Sequence, residues 1–254
     1  MGGRCPEVDQ LARDHDWKEA LNGRILYIFA IPAAAVALVI ILIAVLTRLP
    51  LLAIFALPVA ALTVWFMWQR SDDAVLKSIG ARGLGQTEGQ RVLNLVENLC
   101  LATGIDQPQV MVIDSPACNI AALGAREKTL VFTTGMLETL DLLEMEGVVA
   151  HALSKLSGDS MTYPTAALSA RPAITNGQLK TAQQWGMDSS GPETFDIEGV
   201  ALTKYPPGLR SALERMNGMA TDVEGAEALG DAWFVPPLAE KSDLGRRIEV
   251  LWEL

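Results

Sequence analysis

The chain carries two histidines, His15 and His151, and three cysteines, Cys5, Cys100 and Cys118. Metal-dependent and thiol-dependent hydrolysis both lean on these side chains, so their spacing bounds the available chemistry. The stretch Glu144-Met-Glu-Gly-Val-Val-Ala-His151-Ala152-Leu153-Ser154-Lys155 reads as helix interior, with Val148, Val149 and Leu153 among its apolar positions. Residues 151 and 155 are one turn apart and share a face. Two imidazoles at that spacing, with a glutamate after the first, would hold a zinc ion and activate its water. Here the residue after His151 is Ala152, which has no proton acceptor. The residue one turn on is Lys155, whose ammonium repels a metal. No second histidine is at hand to activate Cys118, which reads as a small buried residue. Three scattered cysteines make neither a disulfide framework nor a zinc ribbon.

A membrane hairpin must precede these residues. The 254-residue chain is 50% hydrophobic with formal net charge −10, yet its mean hydropathy is +0.26. The apolar excess sits in two charge-free runs, residues 25–47 and 49–68, of 23 and 20 residues, separated by Arg48. About 20 apolar residues at 1.5 Å each span a hydrocarbon core of ~30 Å. The reading is a two-helix transmembrane hairpin at 25–68, with Pro50 opening the second helix. Four Lys or Arg lie in 1–24, four in 69–91 and one at the tip. An N-terminal tail (1–24) and a domain (69–254) are therefore both expected on the cytoplasmic side of an inner or plasma membrane. Residues 92–254 hold 11 basic and 22 acidic side chains, a balance of −11. Such a charge argues against nucleic acid as partner and predicts a domain that stands off anionic lipid.

Within the domain, 87–104 reads as a helix stopped by Gly104, and 109–114 and 129–133 as strands, with 119–124 as a third between them. Helix follows from 136 to 156, in one or two pieces. Residues 157–194 are rich in Ser, Thr, Gly, Ala and Pro and read as a flexible insertion with one short helix around 178–185. Helices are expected again at 207–217 and 244–254.

Five further ordered motifs flank the helix carrying His151. It follows Pro116-Ala-Cys-Asn119-Ile-Ala-Ala-Leu-Gly124 and Val131-Phe-Thr-Thr-Gly135-Met-Leu137. Phe195-Asp196-Ile-Glu-Gly199-Val-Ala201-Leu-Thr203, Phe234-Val-Pro-Pro237-Leu238 and Arg247-Ile248-Glu-Val-Leu251 come after it. Together with the hairpin, over about residues 25 to 254, they resemble the membrane metallopeptidases of the HtpX/Ste24 class, family M48. The resemblance implies an α+β fold: the N-terminal transmembrane hairpin, then a mainly helical zincin-like domain with a small β-sheet. It also implies that Asn119, Ile120, Ala121 and Ala122 form an edge strand that holds a peptide by main-chain pairing.

The family pattern is broken where its chemistry lies. His151 stands at the first ligand, but Ala152 replaces the general base and Lys155 the second histidine. Pro192 takes the place of the third ligand, with Glu193 the nearest carboxylate, and Asp159 comes one residue earlier than the family's helix-following aspartate. A general base alone contributes ~10²–10⁴ in rate. The expectation is a pseudopeptidase with no catalytic residues, no metal and no cofactor, which binds membrane-protein or peptide segments or a membrane complex. In place of the metal, Lys155 is expected to pair with Glu193 or Asp196 near His151. Two alternatives remain. One is an active but atypical zinc metalloendopeptidase of membrane protein quality control, its metal on His151 with Glu193, Asp196 or Asp159. The other is a purely structural subunit.

Overall fold

The computed structural model describes residues 6–158, 160–171, 179–181, 184, 191–237 and 241–254, without the side chains of 6–22, 25, 50, 86–88, 241 and 242. The first helix, α1 (Pro6–Leu46), is continuous through the expected boundary between tail and hairpin. Pro32 is accommodated inside the helix. A turn with Arg48 at φ 55° leads into a short 3₁₀ helix (Pro50–Phe55) and then α2 (Ala56–Gln69). Leu26–Leu46 and Leu51–Gln69 are each long and apolar enough to cross a membrane. Leu38, Leu42, Val45, Leu46, Leu57 and Leu62 point away from the protein. Such uncovered leucines suit a lipid solvent and would be costly in water.

The domain begins with α3 (Ser71–Ser78) and β1 (Arg82–Gly83). Helix α4 (Gln86–Thr103) ends on Gly104 at φ 71°, a left-handed stop that glycine adopts without strain. Strands β2 (Gln109–Ile113), β3 (Ile120–Leu123) and β4 (Thr129–Thr133) complete a mixed sheet in the order β1-β2-β4-β3. β2 and β4 run parallel, and β3 and β4 pair antiparallel with Ala121 opposite Val131. Two helices follow, α5 (Thr134–Thr139) and α6 (Leu142–Ser157). Asp141 caps α6 by a reciprocal box with Glu144. The buried Glu144 also accepts from Ser211 and Arg215.

The segment read from sequence as a flexible insertion contains a buried helix, α7 (Thr162–Ser169). Its proline, Pro164, lies in the first turn, where no intrahelical donor is lost. The small residues Ala166, Ala167 and Ala170 let it pack with Tyr163 against Ile28 and Phe29 of α1 and Trp68 of α2. Of the short helix expected around 178–185, Leu179–Thr181 and Gln184 are helical, and the rest lies outside the described residues. Then come α8 (Pro192–Thr203), α9 (Pro206–Asn217), a 3₁₀ turn at Glu227–Ala232 and α10 (Lys241–Trp252).

Two glycines set the helix packing that builds the site. A Cβ on Gly199 of α8 would lie 2.8 Å from the backbone nitrogen of His151, and one on Gly147 of α6 would lie 2.6 Å from that of Leu209. Only hydrogen at these positions lets α8 and α9 rest directly on the α6 backbone. The domain does not stand clear of the hairpin. The Asp72 carboxylate, just past α2, accepts from the amides of Ala125, Arg126 and Glu127 in the β3–β4 turn.

Candidate functional site

Helix α6 brings His151, Ala152 and Lys155 into the interior, where they are 0%, 2% and 5% exposed. His151 Nδ1 lies 2.7 Å from Asp196 Oδ1 on α8. Arg247 of α10 grips the same carboxylate with two nitrogens, each at 2.7 Å. It also donates to the Phe234 carbonyl at 2.9 Å and stacks on the Phe234 ring. That ring meets the His151 imidazole edge-on, centroids 4.7 Å apart. The ionic partnership thus falls to Arg247, which the sequence marked only as the first residue of a closing motif.

The charges follow from burial. Burial pushes the His151 imidazole down to about 4, against the pull of Asp196, so the ring is neutral at pH 7. Burial also works to raise the Asp196 carboxyl. The Arg247 hydrogen bond and neighbouring His151 outweigh it and hold the carboxyl well below the usual carboxylate range. A neutral imidazole beside a carboxylate donates from Nδ1, which leaves Nε2 a bare acceptor, and Nε2 has no partner among the described residues.

Lys155 does not make the expected salt bridge. Its Nζ donates to the backbone carbonyls of Asp231 and Trp233, at 2.9 and 3.0 Å. Glu193 pairs instead with Arg246, and Asp196 is already saturated by His151 and Arg247. Burial, then repulsion from Arg247, pushes the ammonium down to about 8. Lys155 therefore ties α6 to the end of the Glu227–Ala232 turn through carbonyl dipoles rather than a carboxylate.

The residues expected to form an edge strand stand at the end of the sheet, under a cover from later in the chain. β3 is the last strand of the sheet, yet Asn119, Ile120, Ala121 and Ala122 are all buried. The chain covers the outer edge itself. The Phe234 amide donates to the Ile120 carbonyl at 2.8 Å, and Ala121 bridges to Trp233. Further along, the Gly124 amide donates to Thr165 Oγ1 of α7. Asn119 Nδ2 donates to the carbonyls of Thr221 and Val235, while its Oδ1 accepts from the amides of Ile120 and Val235. Buried strand amides and carbonyls require partners, and the segment Asp231–Val235 supplies them. Among the described residues, Asp231–Val235 lies along the edge at Ile120 and Ala121.

The donor set does not fit a catalytic zinc ion. One imidazole nitrogen is unpartnered, Ala152 offers nothing, Lys155 contributes a positive charge, and Glu193 is committed to Arg246. Among the described residues no three His, Cys, Asp or Glu side chains are grouped to hold a metal. Asp159 and the side chain of His15 lie outside the description. Cys118 is buried, and burial first, then Glu144, pushes its thiol up to about 11, the state of an inert thiol.

The chain is 29% identical over 225 residues to a "Protease HtpX homolog" of Dictyoglomus thermophilum, covering 72% of this chain and 74% of the relative. Homologues of the same name from Tropheryma whipplei and Thermoanaerobacter pseudethanolicus are each 28% identical, over 65% and 77% of this chain and 69% and 70% of theirs. No family model and no solved structure matches the chain.

Two outcomes test the site. Lys155→Met leaves two carbonyls unpaired in the interior, and unpaired buried groups cost about 1–3 kcal/mol each. Removing the buried ammonium offsets part of this, so unfolding of the purified protein should show a net loss of about 1–3 kcal/mol. Unchanged stability would mean that the contacts of Lys155 are idle. His151 titrates near 4 when folded and at ~6.5 when unfolded. The unfolded state therefore binds its proton first, and the stability contribution of the neutral ring, complete above ~6.5, is lost as pH falls towards 4. Thermal unfolding from pH 7 to 4 should show this loss, and His151→Gln should flatten the slope in that window.

Proposed function

We propose that this HtpX-like member of the M48 membrane peptidase family is a pseudopeptidase: a membrane-anchored protein that binds other chains and does not hydrolyse them. One observation carries the reading. The place where hydrolysis would occur is occupied by a closed His151–Asp196–Arg247 network, with Ala152 at the base position and Lys155 at the second ligand position. A hydrolytic centre needs a metal-bound or base-activated water with a route to bulk solvent. Here the ring is fully buried and edged by Phe234. Within this reading the domain is a zincin-like fold whose motif helix, α6, has become a structural element, and the chain needs no cofactor.

With the β3 edge covered by Asp231–Val235, the proposed partners, membrane-protein segments or a membrane complex, would meet the lipid-facing sides of the hairpin instead. The apolar residues that project from Leu26–Leu46 and Leu51–Gln69 support this. The even distribution of Lys and Arg at both hairpin ends supports a cytoplasmic placement of both termini.

Purified protein should carry well under ~0.1 equivalent of zinc, since a site with one imidazole ligand falls short of the three protein ligands such centres use. About one tightly bound equivalent, lost on His151→Ala, would overturn the reading in favour of an active atypical metallopeptidase. For topology, a membrane-impermeant thiol reagent applied to intact cells should label a cysteine at Arg48 and spare one at the exposed Glu198, in a Cys5→Ser background. The reverse pattern would invert the orientation.

A further inference from the structure

The open end of the hairpin is where the domain and the spans meet. Ile28 and Phe29, near the start of the first span, pack with Val64, Met67 and Trp68, near the end of the second, so both ends lie at one level. Ala125 of the β3–β4 turn is buried in that same cluster. The next residue, Arg126, donates from Nη1 to the carbonyl of Gln69, the last residue of the second span, at 3.1 Å. Its main chain is pinned there by Asp72. Arg70 follows Gln69 directly, and its guanidinium lies 4.5 Å over the ring of Phe66, one turn back into the span.

Both arginines are exposed. Among the described residues neither has a carboxylate within ion-pair distance. The acidic side chains nearest in sequence are Asp72, Asp73 and Glu127. Asp72 is occupied by three backbone amides of the turn, those of Ala125, Arg126 and Glu127. Two guanidinia are thus fixed at the level where a bilayer presents its headgroups, on a domain that is otherwise strongly acidic. A guanidinium matches a phosphate by paired N–H donors, and anionic leaflets attract such charges by ~1 kcal/mol each.

We propose that Arg70 and Arg126 together form a binding surface for the phosphate headgroup of an anionic phospholipid in the leaflet beside the domain. The β3–β4 turn then fixes the distance between domain and membrane, and the rest of the acidic surface is held away by its own charge. The proposal does not depend on whether the protein hydrolyses peptides.

The test uses the full chain in mixed phosphatidylglycerol and phosphatidylcholine nanodiscs, extracted into detergent, with retained lipid read by native mass spectrometry. The wild-type protein should retain phosphatidylglycerol in preference to phosphatidylcholine. Arg70→Gln with Arg126→Gln should lower that preference at least about fivefold, with circular dichroism unchanged. Arg70→Lys with Arg126→Lys should keep most of it, which separates charge at this place from loss of fold. Equal retention of the two lipids by the wild-type protein, or a preference that survives the double glutamine variant, would overturn the proposal.

Discussion

Asp196 is the group on which the domain depends. It is a fully buried carboxylate, and such a charge persists only when strong donors compensate it. Arg247 supplies two hydrogen bonds and His151 a third. These fix more than the charge. They join α6, α8 and α10, three elements far apart in sequence, and set the plane of the imidazole. Arg247 also reaches the carbonyl of Phe234, so the same pair anchors the segment that seals the sheet edge. Gly199 makes the arrangement possible by bringing the α8 backbone against that of His151.

A second constraint ties the domain to the hairpin. Asp72 receives three amides of the β3–β4 turn, and α7 fills the space between the hairpin and the sheet with alanines and Tyr163. The sheet is therefore held from both sides. One side is the hairpin base. The other is the Asp231–Val235 segment, which Lys155, Asn119 and Arg247 all hold. Lys155 ties α6 to this segment from within the interior. It offers positive charge to the backbone carbonyls of Asp231 and Trp233.

Hydrophobic periodicity and stop signals are local, and the elements they govern were legible in the sequence. The two spans, α4 with its Gly104 stop, strands β2, β3 and β4 and the paired helices α5 and α6 all follow from them. α7 was not legible, because its alanines, threonines and serine carry no amphipathic stripe. Its helical state comes from burial between the hairpin and the sheet. The edge position of β3 was implied by the resemblance of its motif. Its closure was not, because the closing residues lie more than a hundred positions away.

The sequence by itself determined which side chains stand at the motif positions of α6. Ala152 carries no proton acceptor, Lys155 brings an ammonium, and the chain's other histidine, His15, is more than a hundred positions away in sequence. These are properties of side-chain types and counts. Only the tertiary structure decided which partners they meet. Whether Asp196 would answer Lys155 or Arg247 depends on which donor helix packing brings within 3 Å. The choice of carbonyls over carboxylates for Lys155 depends likewise on where the chain turns at Asp231–Trp233. Hydrogen bonds and ion pairs fall off over a few ångströms, and the sequence does not encode such distances until the helices have packed.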